Sequence, residues 1–309
     1  MKMEDQTRAL LPAMMEARDQ FMELVEEIRP ELHRYSARMT GSIFDGEDVV
    51  QETLAKAYYA LGQMVQPPNL RPWLFRIAHN TAMDFIKRYE RQHVDSVADV
   101  PDRAALEESS VDPALVEAAL TVFADLPPTQ RSAAILKDVL GQSLEETANT
   151  MGTTVGAVKA ALSRARANIA RTPRARLAEA TQSVTAETRM TLRRYADLFN
   201  AHDWDALRQL LAAESRLEVV SRVQHPRAVD AGYYDRYAGY TKTEDLRAEA
   251  GFVDGVPVIA IFSPPSRRDP SYFVVLGISA GRVSLIRDYR YIPYITNDAR
   301  YAAFGGADG

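Results

Sequence analysis

The chain of 309 residues contains no cysteine. That excludes disulfides and thiolate metal sites. Its five histidines are scattered without ligand spacing, so neither a metal nor a cofactor is expected. Long apolar runs are also missing. The longest, near Val256–Phe262 and Tyr272–Ile278, are strand-sized, well short of the ~20 residues that span a bilayer. The N-terminus is charged and lacks a signal-peptide core, so a cytoplasmic protein without membrane contact is the expectation. Excess positive charge is absent too, the net charge being −5. This argues against a general nucleic-acid coat but not against a local basic patch, because phosphate attraction depends on the patch and not on the total. What remains is an ordinary soluble composition, 46% hydrophobic and 26% charged, long enough for two or three domains.

The most informative stretch is Gly141–Arg176, which reads as two helices joined by a tight turn. Ser143 can cap the first helix, and Glu145 and Glu146 suit the positive end of its dipole. Ala148 allows a close crossing. Gly152 can end the helix in a left-handed conformation. Thr154 then caps the second helix, where Val155, Val158, Leu162, Ala165 and Ile169 step by three and four to form one apolar stripe. Thr153–Arg176 holds six basic residues and no acid. Two core helices with a solvated charge face would explain some of this. The one-signed charge, confined to the second helix and its tail, favours a helix-turn-helix that lays a basic helix in the major groove.

Upstream, Phe21–Met39 is helical in composition, with Pro30 suited to a first turn and Gly41 as the stop. Asp45 is expected to cap a helix reaching Leu61, with Val50, Leu54, Ala57, Tyr58 and Leu61 inward and Asp48, Gln51, Glu52 and Lys56 on other faces. A loop through Pro67-Pro68-Asn69 leads to a helix from about Pro72 to Arg91. Its inner face is Trp73, Leu74, Ile77, Ala78, Thr81 and Phe85, and Lys87, Arg88 and Arg91 make its end positive. Asp95–Glu117 carries seven acids against one base, Arg103, and few large apolar residues, so no fold of its own is expected there. Short helices follow at Ala114–Ala124, with Leu115, Ala119, Leu120 and Phe123 inward, and at Gln130–Leu140.

These residues carry a resemblance. LHRYSARMTGSIFDGEDVVQETLAKAYYAL with RPWLFRIAHNTAMDFIKR resembles region 2 of the extracytoplasmic-function group of bacterial sigma factors. LPPTQRSAAILKDVLGQSLEETANTMGTTVGAVKAALSRARANI resembles region 4 of the same family, in the family's order and spacing. The resemblance implies a sigma factor that binds core RNA polymerase and directs it to promoter DNA. Asp48, Gln51, Glu52 and Lys56 would face the β′ coiled coil, and region 4 would contact the β flap. Asn80 matches the residue that reads a base flipped from the minus-ten element, with Lys87 and Arg88 available to phosphates. Trp73 also matches a family position, but on this apolar stripe it reads as core rather than as a stacking platform. Region 4 would read the minus-thirty-five element through Thr154, Val155, Gly156, Ala157 and Lys159, with Arg164 and Arg166 toward phosphates. Ala160-Ala161 stand where relatives carry Ser-Arg, which implies weaker upstream-box binding. The acidic connection resembles the linker that threads the polymerase's nucleic-acid channels.

After a polar connection, a helix near Glu187–Ala201 is expected with Met190, Leu192, Tyr195, Leu198 and Phe199 inward. A second helix is expected at Trp204–Ala212, and a helical composition is seen at Thr243–Glu249. Tyr233–Tyr240 reads as helix or loop. Strands are expected at Leu217–Val223, Pro257–Phe262, Tyr272–Ser279 and Arg282–Tyr291, the last two joined at Ala280-Gly281. FNAHDWDALRQLLA with these strands resembles the SnoaL-like branch of the nuclear-transport-factor-like fold, a curved sheet around a cone-shaped pocket. The expected organisation is therefore multidomain. It comprises an all-α sigma region 2 (1–94), an acidic linker (95–113), an all-α region 4 helix-turn-helix (114–176), a linker (177–186), an α+β SnoaL-like domain (187–300) and a tail (301–309). That last domain is expected to modulate the sigma domains by intramolecular contact. Its tyrosines, among them Tyr233, Tyr234 and Tyr237, fit a pocket, an interface or plain packing. Asp203 beside His202 reads as a helix cap and no acid–base pair stands out, so no catalytic residue is assigned. The competing reading is a helix-turn-helix regulator whose C-terminal domain is a ligand sensor or an enzyme.

Overall fold

A computed structural model describes residues 19–64, 68–92, 120–171, 184–220, 226–228 and 232–304. The expectations for the acidic connection at 95–113, the helix start at 114–119, the basic tail beyond Arg171 and residues 305–309 of the tail expected at 301–309 lie outside the described residues, whereas Tyr301–Ala303 of that tail form a strand. The chain divides into two compact units, Met1–Leu177 and Ala178–Gly309.

Among the described residues the first unit is helical. Helix α1 (Arg29–Thr40) has Pro30 in its first turn and ends at Gly41, whose φ of 82° is the left-handed stop that glycine adopts at little cost. Helix α2 (Ile43–Leu61) is capped by Ser42, whose hydroxyl accepts the Asp45 amide. The expected cap at Asp45 is thus displaced by one turn, because the hydroxyl that reaches a free helix amide belongs to Ser42. Gly46 on α2 sits directly against α1, where a Cβ would lie 2.6 Å from the backbone of Ala37. Helix α3 (Leu70–Gln92) begins slightly before Pro72. It buries Leu74, Phe75, Ala78, Thr81 and Ala82 completely, while Trp73, Ile77 and Phe85 pack half-buried at the margin.

Next come α4 (Leu120–Ala124) and α5 (Pro128–Ala134), the latter running into a π-helical turn at Ile135–Val139. Helices α6 (Leu144–Met151) and α7 (Val155–Arg171) complete the unit. Residues of α1–α3 and of α4–α7 lie in one hydrophobic core, in which Tyr35, Leu74, Phe75, Phe123, Leu136 and Leu162 are all buried. Two stretches that the sequence reading separates into regions 2 and 4 therefore share an interior.

The second unit is α+β. Helix α8 (Ala186–Asn200) buries Thr191, Leu192, Tyr195, Ala196 and Phe199. Met190, expected inward, is 70% exposed. The buried stripe runs through the next position, so Met190 falls a quarter-turn off it. Helix α9 (Trp204–Gln209) is capped by Asp203, as its position suggested. It stops earlier than expected because Leu211–Val219 is strand β1, whose Leu211 pairs with Val283. Strand β2 (Pro226–Ala228) and helix α10 (Gly232–Tyr240) follow. Arg247–Val253, which overlaps the expected helix at Thr243–Glu249, is strand β3, buried at Ala248 and Ala250. Strand context overrides a weak helical preference here. Strands β4 (Val256–Phe262), β5 (Tyr272–Ser279), β6 (Arg282–Asp288) and β7 (Tyr301–Ala303) complete a seven-stranded curled sheet of order β2-β1-β6-β5-β4-β3-β7. The β5–β6 hairpin turns at Ala280 and Gly281, both with positive φ. Strand β1 pairs with β6 in parallel, whereas the other pairings among the described residues are antiparallel. Asn200 ties α8 to the sheet, its amide exchanging two hydrogen bonds with the backbone of Ala248 at 2.7 and 2.9 Å.

The α1–α2 crossing yields a stability prediction. Gly46→Ala must push apart two backbones and should cost about 1–3 kcal/mol. Gly62→Ala, at an ordinary helical φ of −65° with its nearest atom 3.7 Å from the new methyl, should be neutral or slightly stabilising. Chemical denaturation of the two variants checks the contrast.

Candidate nucleic-acid interface

The turn between α6 and α7 is fixed by its own polar groups. Ser143 Oγ accepts the Glu146 amide at 3.1 Å, and Glu146 Oε2 accepts the Ser143 amide at 2.7 Å, a complete capping box. That pairing holds the Glu146 carboxyl below its usual range, the Ser143 backbone bond being the largest cause. Gly152 closes α6 with φ 63°, and the Thr153 amide reaches back to the Ala148 carbonyl at 3.0 Å. Thr154 Oγ1 then accepts the Ala157 amide at 3.2 Å and opens α7.

The rotation of α7 is set by Val158, Ala161, Leu162 and Ala165, all buried, with Val155 and Ile169 packed half-buried on the same core. The opposite side of its first turns carries Thr154, Gly156, Ala157 and Lys159, all exposed. Arg164 is half-buried. Arg166 is half-buried and forked onto Asp138 through two bonds of 2.7 and 3.1 Å, the Asp138 side chain being 0% exposed. Its guanidinium thus holds α7 on the π turn rather than standing free. Ala161 is 1% exposed, so a longer side chain at that position would meet the interior of this chain, not a phosphate. The weaker binding inferred from Ala160-Ala161 therefore loses its geometric basis at Ala161.

Helix α3 presents a second polar face. Asn80, Lys87 and Arg88 are exposed on it, and Trp73 is half-buried against the core. Arg88 donates to Glu52 Oε2 at 3.1 Å, and Lys56 lies 2.8 Å from Glu52 Oε1. Burial works against ionisation of Glu52, but the bonds from Lys56 and Arg88 outweigh it and hold the carboxyl below its usual range. Lys56 also donates to Thr81 at 3.2 Å. On α2, Gln51 donates to Glu47 at 2.6 Å, and Glu47 is in turn paired with buried Arg29 at 2.7 Å. Asp48 is half-buried beside them on the same helix. The four residues expected to face polymerase therefore lie on one helix, and two of them are bonded to α3.

The sequence reading missed three buried polar groups. Tyr35, His79 and Ser132 form a hydrogen-bonded triangle. Arg131, 7% exposed, caps the carbonyls of Met39, Ala124 and Leu126. In the second unit Asp288 Oδ2 accepts from Tyr233 at 3.0 Å and Tyr237 at 2.7 Å, and Oδ1 accepts the Arg290 amide at 2.9 Å. Burial raises the Asp288 carboxyl above its usual range, and these bonds only partly offset it. Little in one dimension marks these residues, because decisive partners lie far off in sequence, Ser132 97 positions from Tyr35 and Asp288 51 from Tyr237. Among the described residues there is no group of His, Asp or Glu placed to hold a metal, and no helix is long and apolar enough to cross a membrane.

The family model of Sigma-70 region 2 matches residues 24–92, and that of Sigma-70, region 4 matches residues 117–169. The ECF RNA polymerase sigma factor SigG of Mycobacterium tuberculosis is 29% identical, the match covering 87% of this chain and 80% of SigG. The ECF RNA polymerase sigma factor SigM of the same species is 30% identical over 49% of this chain and 76% of SigM. RNA polymerase sigma factor CarQ of Myxococcus xanthus is 31% identical over 46% of this chain and 83% of CarQ.

Two cations of α7, Arg166 and Lys159, are predicted to separate in experiment. Arg166→Ala leaves Asp138 buried without its fork and should cost about 3–5 kcal/mol of stability. Lys159→Ala should leave the denaturation midpoint unchanged, because its side chain is exposed at the open end of the helix. Thermal and urea unfolding of both variants decide the matter.

Proposed function

The chain belongs to the extracytoplasmic-function RNA polymerase sigma factors, and from that premise we propose how its surfaces divide the task of promoter recognition. It functions as a sigma factor in transcription initiation, a regulator of transcription rather than an enzyme. Core polymerase is engaged by the polar face of α2, through Asp48, Gln51, Glu52 and Lys56, with region 4 against the β flap. The minus-ten element is met by α3, where Asn80 offers an amide to an unstacked base and Lys87 and Arg88 offer charge to phosphates. The minus-thirty-five element is met by the first turns of α7, from Thr154 to Lys159, with Arg164 toward the backbone. Arg166 supports that surface from behind by its fork on Asp138.

The observation that carries this reading is the pose of α7. Its rotation is fixed by a buried stripe and its start by two caps, and this leaves Thr154, Gly156, Ala157 and Lys159 in solvent at the end of the helix that a major groove would receive. The second unit, as a SnoaL-like domain, modulates this activity by intramolecular contact. Its curled sheet and the helices α8–α10 support that assignment. The polar groups that converge in its interior, Asp288 with Tyr233, Tyr237 and Tyr272, are bonded to one another and to Arg290. Each of these groups is thus already partnered within the unit.

Transcription in vitro with core polymerase alone tests the reading. The full chain should support initiation from its promoters without another sigma factor, and failure to associate with core would reject it. Lys159→Ala should weaken promoter binding and lower the slope of log K against log salt by about 1. Asn80→Ala should reduce open-complex formation while leaving binding to core intact. Removal of residues 187–309 should change promoter-dependent output, and an unchanged output together with unchanged core affinity would remove the regulatory role of the second unit.

A further inference from the structure

The first unit carries a contact that its proposed function must break. Helix α3 packs against α6, and α6 packs against α7. Packed helices lie ~8–10 Å apart, so α3 and α7 are held within ~20 Å of each other. This inference rests on the reading that α3 and α7 meet separate promoter elements. Those elements are about 25 base pairs apart, or ~85 Å at ~3.4 Å per step. The packed arrangement cannot span that distance, so the two halves of the unit separate before both elements are met.

At the seam between the halves sits the hydrogen-bonded triangle. Tyr35 on α1 and His79 on α3 belong to the first half, and Ser132 on α5 belongs to the second. The Tyr35 hydroxyl lies 3.0 Å from His79 Nδ1 and 2.9 Å from Ser132 Oγ, and Ser132 Oγ lies 3.0 Å from the same Nδ1. All three residues are buried. With a neutral imidazole whose Nδ1 is an acceptor, Ser132 donates to Tyr35 and Tyr35 donates to the single lone pair of Nδ1. A proton on Nδ1 removes the acceptor and places a charge in the seam.

We propose that His79 is an acid-sensitive latch, holding the two halves of the first unit closed while its ring is neutral and releasing them when the ring is protonated. The hydrogen bonds of His79 go to hydroxyls and not to a carboxylate. α1 presents the phenol of Tyr35, and α5 presents Ser132 with Arg131 next to it in the chain. Arg131 is close enough to act electrostatically on Tyr35. On the α2 side Lys56 is bonded to Thr81, two residues along α3. On α6 the acids Glu145 and Glu146 are exposed, and Glu146 is turned back on Ser143. Glu90 and Asp125 act electrostatically on Arg131, while desolvation is what acts on the imidazole itself. Burial accordingly depresses His79 from its ordinary value near 6.5 to about 4. The depressed value belongs to the closed state. Closure is therefore fully favoured above about pH 6.5, and its advantage shrinks as pH falls from there toward about 4. A charge buried without a partner is the costly case for any interior.

The absence of cysteine makes the test direct, since two introduced thiols become the sole labels. Spin labels at Ala55→Cys on α2 and Ala170→Cys on α7, both exposed positions, report the separation of the halves in the full chain. Between about pH 7.5 and about pH 5 the ratio of open to closed populations should rise on the order of tenfold. His79→Gln keeps a hydrogen-bonding side chain that cannot titrate, and it should abolish that rise. Should circular dichroism show that this variant misfolds, His79→Phe replaces it, since the Tyr35–Ser132 bond survives there. Ser132→Ala removes the one hydroxyl contributed by the second half and should widen the distance distribution at both pH values. An unchanged distribution on acidification, or a rise that persists in the His79 variants, overturns the latch. The measurement uses neither polymerase nor DNA. A working latch in a chain that fails to bind core would therefore reject the functional reading alone.

Discussion

Closing two helical stretches over a single apolar interior imposes one demand on the first unit: every polar group trapped at the seam must find a partner there. Arg131 illustrates the cost. Its guanidinium is buried, and burial lowers its pKa to about 10 from the usual range for an arginine. It remains tolerable because three backbone carbonyls, at Met39, Ala124 and Leu126, accept from it. Those carbonyls belong to the ends of α1 and α4 and to the turn before α5. They are groups that helix geometry leaves without internal partners. One side chain thus satisfies helix ends in both halves.

The pose of the basic helix depends on the same logic at smaller scale. A helix-turn-helix can present bases only if the second helix cannot roll. Here the roll is prevented on two sides, by the stripe from Val158 to Ala165 in the core and by the fork of Arg166 on buried Asp138. A bidentate pair fixes orientation as well as distance. The cations of this helix therefore do different work, Arg166 orienting the element and Lys159 standing at its open end. Charge count alone would have treated them alike.

The second unit solves the same problem with phenols. Tyr233 and Tyr237 from α10 and Tyr272 from β5 surround Asp288 and Arg290, so a buried carboxylate is held by donors that are themselves mostly apolar. Trp204 packs against Phe199 and near Tyr237 at ring separations of 5.5 and 6.4 Å, which joins α8, α9 and α10 into one aromatic layer. The tyrosines that sequence reading left open between pocket, interface and packing are thus divided. Tyr233, Tyr234 and Tyr237 are interior, whereas Tyr291 stands about half exposed.

What the sequence determined by itself is what neighbouring residues decide among themselves. The capping box of Ser143 and Glu146, the left-handed stop at Gly152, the cap at Thr154 and the turn at Ala280-Gly281 were all legible, because each partner lies within a few residues. The apolar stripe of α7 was legible for the same reason, its period being a property of the helix alone. Tertiary structure decided the rest. It put Arg247–Glu249, the end of the stretch Thr243–Glu249 with helical composition, into strand β3, since a place between β4 and β7 outweighs a propensity of a few tenths of a kcal/mol per residue. It assigned Arg166 to Asp138, 28 positions away, and joined Tyr35 to Ser132, 97 positions away. Such pairings depend on which surfaces meet after the helices have formed, and a local pattern of residues holds no information about that.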